Sequence, residues 1–340
     1  MRVNWPIRKP LMWSIALGAS FGLLLRVSAA FDWFRQRSVM GLALSAVMSL
    51  SYLALGSAAV GYVTVWCAEN KAGRPIWQWI LLAWCSTLVV MVGAAIFLLE
   101  GVICLVFALP LVMPFASIGG VLAGVIRRKT SRRLSVHLCV IFLPLILPQA
   151  EVFFPAPLQI RIVRSEIRIF APPSEVWKNI ASVSAIHSEE LPITWTEKLG
   201  FPRPIAATLS YEGVGGIRNA TFERGVRFVE TVTNWEPSER LSFTIKADTA
   251  RIPPTTLDRH VTIGGPYFDV LDGEYQIERV GKDIVILHLI SHERLNTDFN
   301  GYAGLWTDAV MSSIQRSILQ VIKNRCEAPD SRLQTPLAGK

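Results

Sequence analysis

Five stretches within the first 150 residues are apolar for long enough to cross a bilayer, and no other feature restricts the fold of this chain as strongly. Hydrocarbon offers no partner to a backbone N–H or C=O. A spanning segment therefore satisfies its own polar groups as a helix, which takes about 20 residues. The stretches are residues 11–27, 39–66, 77–99, 101–126 and 134–150. The third opens with Trp77, Trp79 and Trp84, rings that favour a membrane–water interface. Pro110 and Pro114 predict a kink or a re-entrant turn in the fourth. The fifth is short and contains His137 and Pro144, so five spans are expected, with four as the fallback. A cleaved signal peptide is the other reading of the first stretch. Four more apolar stretches follow it and no small-residue cleavage site stands out, which favours an anchor.

Charge divides the chain in the same way. Residues 1–150 hold 13 Lys or Arg against only Asp32, Glu69 and Glu100, a net +10, whereas the remainder carries 21 bases and 23 acids. The positive excess flanks apolar stretches and is missing from the polar half, so nucleic acid is not an expected partner. With the N-terminus cytoplasmic, Arg2, Arg8, Lys9, Lys71, Arg74, Arg127, Arg128, Lys129, Arg132 and Arg133 fall on the cytoplasmic side. Arg26, Arg35 and Arg37 fall on the other. Five spans of a bacterial inner membrane then place everything after residue 151 in the periplasm, and four leave it in the cytoplasm.

The apolar half offers little chemistry. Glu100 is an intramembrane carboxylate or, on the plainer reading, a turn residue near the headgroups. Cys67, Cys85, Cys104 and Cys139 show no metal-type spacing, and Cys326 stands alone in the polar half. No metal site and no cofactor are expected.

Beyond a linker at 151–160, alternation replaces continuous hydropathy. Ile167 and Ile169 alternate with Glu166 and Arg168 as in a half-buried strand, and Ser174 is placed to cap a following helix through Val176, Trp177 and Ile180. Strand-like runs follow at 206–211, 217–223, 226–235, 241–247, 267–278 and 284–292, joined by Gly, Asp and Pro turn residues. Tyr302, Leu305, Trp306, Ala309, Val310, Ile314, Ile318, Val321 and Ile322 then mark a long amphipathic helix. The expected class is an all-α transmembrane bundle at 1–150 joined to an α+β domain at 161–327. In that domain a curved antiparallel sheet wraps a long C-terminal helix. Residues 328–340 are expected to be a disordered tail.

The run Ile167-Arg-Ile-Phe-Ala-Pro-Pro-Ser-Glu-Val-Trp177, with Gly213-Val-Gly-Gly-Ile-Arg218, Trp235-Glu-Pro-Ser-Glu-Arg-Leu241 and Phe243, resembles the START-like helix-grip superfamily, also called SRPBCC or polyketide cyclase/dehydrase. The resemblance covers residues 160–326. It implies the helix-grip fold and a cavity between sheet and helix, and it is compatible with lipid carriers, ligand binders, aromatase/cyclases and co-chaperone activators.

No catalytic residue is assigned. His187 with Glu189 and Glu190, the Asp258-Arg259-His260 cluster, and His288 with His292 lack a diagnostic spacing, and the last two lie about 13 Å apart along a strand. Trp195, Glu230, His260, Tyr267, Tyr302, Trp306 and Ser313 are the candidate ligand-binding residues, aromatic walls with a few polar groups. The expected role is a membrane-anchored domain that carries or senses a lipid-like or other hydrophobic small molecule. A polyketide cyclase/dehydrase-like enzyme and a membrane-anchored protein-interaction module are the alternatives. The lipid bilayer is the other expected partner.

Overall fold

The computed structural model describes residues 8–30, 49–69, 73–129, 134–151, 158–183, 185–248 and 263–328. The start of the second apolar stretch, the linker at 152–157, the Asp258-Arg259-His260 cluster and the tail from residue 329 lie outside the described residues. The chain forms two compact units, one holding Met1–Pro157 and the other most of the chain from Leu158 onward.

The first unit contains α1 (Arg8–Ala30), α2 (Leu50–Ala68), α3 (Ile76–Ile96), α4 (Val102–Lys129) and α5 (Leu134–Glu151). Among the described residues, α1 to α4 are long and apolar enough to cross a membrane, and α5 contributes a shorter apolar segment, Cys139–Pro148. Large apolar side chains such as Trp77, Val92 and Leu122 point away from the bundle. Lipid solvates such side chains as well as protein does, so the helices associate through close packing. Small residues supply it. A Cβ on Gly61 of α2 would fall on the Ala116 carbonyl of α4, and one on Gly119 of α4 would fall on the Ala58 carbonyl of α2.

One expectation narrows here, and two details are added. A single helix, α4, runs through both Pro110 and Pro114 instead of turning back. Each proline removes one intrahelical hydrogen bond, which neighbouring helices make tolerable in a membrane. Trp79, at the end of its span, faces the bundle interior: it is buried against Gly124, and its indole N–H donates to Glu69 Oε2 at 2.9 Å. Glu69 itself, the C-terminal cap of α2, is a fully buried carboxylate that the sequence reading passed over. Arg128 stands 3.8 Å from its other oxygen and lies over the Trp79 ring. Glu100 occupies the turn between α3 and α4 and accepts from Arg26 Nε at 2.7 Å, in keeping with the plainer reading of that residue.

The second unit runs β1 (Gln159–Ile169), α6 (Pro173–Ala181), α7 (Trp195–Lys198), β2 (Pro204–Leu209), β3 (Ile217–Phe222), β4 (Arg227–Glu236), β5 (Arg240–Ala247), β6 (Phe268–Gly281), β7 (Ile284–Leu295) and α8 (Asn300–Glu327). Its seven strands form one antiparallel sheet in the order β1-β7-β6-β5-β4-β3-β2. The long helix α8 packs on β1 and β7, the helix-grip arrangement. Helix α6 begins two residues earlier than the Ser174 cap implies, with Pro173 in its first turn and Pro172 as its N-cap. Proline's fixed φ suits the first helical position, where its missing N–H removes nothing.

The core fills one end of this grip. Ile169, Val176, Ile180, Leu241, Leu287, Leu319 and Ile322 are fully buried there, each worth roughly 1.5–3 kcal/mol of burial. Trp177 of α6 meets Trp235 of β4 edge to face at 4.9 Å between ring centroids. The other end is different.

Candidate ligand-binding cavity

Against residues 311–322 of α8 the sheet and the helix leave space between them. Between them lies a cavity of about 170 Å³. Its walls are overwhelmingly apolar: Phe222, Phe228, Phe243 and Ile245 from the sheet, Met311, Ile314 and Ile318 from α8. Strand alternation selects the sheet residues, because every second side chain of β3, β4 and β5 points to the concave face. Small side chains then decide that this face encloses space. Ala206, Ala207 and Ala220 line the chamber, and Gly273 of β6 leaves room for the Phe243 ring, which a Cβ there would meet at 2.7 Å.

The segment between α6 and β2 covers the chamber. Phe201, Pro202 and Pro204 line it from this side. Val183 and Ala207 exchange two backbone hydrogen bonds of 2.8 and 2.9 Å, which fasten the segment to the β2 edge of the sheet. Its one helical turn, α7, is held by a capping box in which Thr194 Oγ1 accepts from Glu197 N at 3.3 Å and the Glu197 carboxylate accepts from Thr194 N. Thr196 and Ser313 hydroxyls share a hydrogen bond of 3.2 Å, joining the cover to α8.

Polar groups enter the chamber at two places. Arg218 of β3 and Glu230 of β4 stand directly opposite in register and form a buried ion pair. The guanidinium lies over the Phe243 ring at 5.3 Å and the Tyr275 ring at 5.9 Å. Burial pushes the Glu230 carboxyl above the usual range while Arg218 pulls it down. Removing either partner alone would leave a buried charge uncompensated. On the opposite wall, Gln315 of α8 donates from Nε2 to Val163 O at 3.2 Å and to Ser291 Oγ at 3.0 Å.

Next to that glutamine, outside the chamber lining, is Glu293 of β7, 0% exposed and with neither carboxylate oxygen hydrogen-bonded among the described residues. Arg161 stands across from it on β1 but is engaged by Asp308 of α8, with Nε donating to Oδ1 at 2.8 Å. Gly304 makes this possible, since a Cβ there would strike the Arg161 guanidinium. Burial, with the nearby Asp308 charge adding to it, pushes the Glu293 carboxyl up to about 8.

Of the residues singled out from sequence, Glu230 lines the chamber. Trp195 is exposed on α7, Tyr267 is buried away from the lining, Tyr302 and Trp306 pack on each other at 6.3 Å near the start of α8, and Ser313 bonds the cover. His260 lies outside the described residues. Arg218 was treated only as part of a motif, although alternation along Ile217–Phe222 places it on one face with Ala220 and Phe222. His288 bridges Glu278 and Glu166 at 3.0 and 3.2 Å, and His292 meets Asp272 at 2.6 Å, all outside the chamber lining. Among the described residues no group of three His, Cys, Asp or Glu could hold a metal.

No family model and no curated protein matches the chain. Solved structures align with its C-terminal half. They include a truncated norcoclaurine synthase from Thalictrum flavum, 12% identical over 49% of this chain and 94% of that one, with a TM-score of 0.31. The Zhui aromatase/cyclase from Streptomyces sp. R1128 is 14% identical over 50% and 94%, with a TM-score of 0.32. A START superfamily protein from Mycobacterium smegmatis is 9% identical over 49% and 97%, also with a TM-score of 0.32.

Proposed function

We propose that the C-terminal domain binds a lipid-like or other hydrophobic small molecule in its cavity, and that the apolar helices hold it at a bacterial inner membrane, where it carries or senses that molecule. The apolar chamber between α8 and the sheet carries this reading. Protein interiors normally pack to the density of organic crystals with few voids, so a chamber kept open by Ala206, Ala207 and Ala220 calls for an occupant. The full chain released from its native membrane and weighed by native mass spectrometry retains a small apolar molecule. An Ala220→Trp variant, whose indole fills the chamber, retains at least tenfold less. A wild-type chain that is repeatedly empty overturns the proposal.

We further propose that α5 crosses the membrane and, with the N-terminus held in the cytoplasm by the ten basic residues on that side, places the domain outside it. Alkaline phosphatase joined after Glu327 is then active. A silent phosphatase fusion beside a fluorescent cytoplasmic reporter at the same position would reverse the orientation.

A further inference from the structure

One face of β1 changes character along its length. Arg161 turns toward α8, where it meets Asp308, so alternation turns Ile160, Ile162, Arg164, Glu166 and Arg168 to the other side of the sheet. Beyond Ile162 that face is charged. Before it the face is apolar: Ile160 and Ile162, with Leu158 just ahead of the strand, are 48%, 63% and 58% exposed. The outer face of an antiparallel sheet ordinarily carries polar side chains toward water, and a run of large apolar ones marks a contact. Leu305 of α8, 66% exposed, continues the strip around the sheet edge. It lies about one helical turn from Asp308, whose partner Arg161 sits between Ile160 and Ile162 in sequence. These four side chains border the end of the domain at which the chain enters β1.

We propose that this rim docks on the bilayer surface, with Leu158, Ile160, Ile162 and Leu305 among the lipid headgroups and Arg164 at the level of the phosphates. The length of the connection argues for lipid as the occupant. Only residues 152–157 separate α5 from Leu158, so even at full extension the rim stays within about 25 Å of the end of an apolar helix. So short a tether holds the rim against the membrane at an effective concentration on the order of millimolar, and a contact too weak to recruit a free domain suffices. The charge pattern agrees. Arg164 follows the apolar pair on the same face, and a cation on a long apolar stem beside headgroup-level isoleucines is drawn to phosphate. The proposal rests on the apolar helices lying in a membrane and is independent of the chamber having an occupant.

The test uses the full chain with its five cysteines changed to alanine and one fluorescent dye, attached through Ile162→Cys, Leu305→Cys, Val280→Cys or Val92→Cys. Val280 is exposed too, but it lies at the Ile169 end of β1, about 30 Å from Ile160 along the strand. Val92, exposed on α3, reports whether the helices are in lipid. In nanodiscs of phosphatidylethanolamine and phosphatidylglycerol, lipids bearing a headgroup nitroxide quench the dyes at Ile162 and Leu305 at least threefold more than the dye at Val280. Changing both Ile160→Glu and Ile162→Glu, two exposed positions, lowers quenching at Leu305 at least twofold. Equal quenching at Ile162, Leu305 and Val280 while Val92 is quenched overturns the proposal, as does an unaltered Leu305 signal in the double variant. Rim dyes shielded from lipid nitroxide and from aqueous iodide alike overturn it in favour of a protein occupant. An unquenched Val92 dye removes the membrane reading on which it stands.

Discussion

On α4, Gly119 and Gly124 bring the helix against the Ala58 carbonyl and the Trp79 ring, whereas in the sheet Ala206, Ala207 and Ala220 leave room between walls. Small residues close space in one half of the molecule and open it in the other. The surroundings explain the difference. Lipid gives helices no hydrophobic reason to associate, so contact itself must provide the attraction, and a missing side chain lets backbones touch. In water, the apolar face of α8 and the concave face of the sheet are driven together by burial, and the fold tolerates a gap because the core around Leu287, Leu319 and Ile322 already holds them.

The largest effect expected from this contrast is at Gly119. A Gly119→Leu substitution drives a side chain into the α2 backbone and lowers bundle stability by on the order of 3 kcal/mol or more, read as thermal aggregation in detergent. Retention of a small apolar molecule by the domain stays intact. A bundle that accepts leucine there would erase the distinction between the halves.

Next is Glu293. Its pKa of about 8, against an ordinary 4.5, means that the native state holds a proton more tightly than the unfolded chain does. That contribution is complete below about pH 4.5 and is lost as the pH rises through about 8. The domain is therefore expected to lose on the order of 3 kcal/mol between pH 5 and pH 9, and Glu293→Gln removes that slope. Hydrogen exchange of β7 amides in moderate urea reads it. The same slope persisting in the variant would move the titration to another group.

The smallest effect sharpens the idea that the cover is a weakly held part of the domain. Thr194→Ala removes the α7 cap at about 1 kcal/mol and speeds exchange of the α7 amides roughly fivefold, leaving the β-sheet core unaltered. An effect spread evenly over the domain would show that the cover unfolds only with everything else.

Much of the architecture was legible in the sequence because burial leaves periodic traces. The alternation in 241–247 and the three-and-four spacing along α8 marked a strand and a helix correctly. The chamber left weaker traces. Phe228, Ile245 and Ala220 look alike whether they fill a core or line a void, since the difference lies in how far apart facing elements stand. Arg218 carried a readable sign in its shared face with Ala220 and Phe222, and its match to Glu230 depends on a register that the turn glycines alone do not set. Glu69 was hidden for the opposite reason: it follows the last apolar turn of α2 and reads as a loop residue until Trp79 and Arg128 close over it.

The sheet order also sets a timetable for synthesis. Strands β2 to β7 each pair with the strand made just before or after them, but β1 pairs only with β7, Ile169 facing Val285 and Gln159 facing Leu295. At roughly 5–20 residues per second on a ribosome, the first strand of the domain waits on the order of ten seconds for its partner. Over that interval its apolar face is uncovered and its backbone unpaired, so β1 is the segment of this domain most open to chaperones and proteases while the chain is being made.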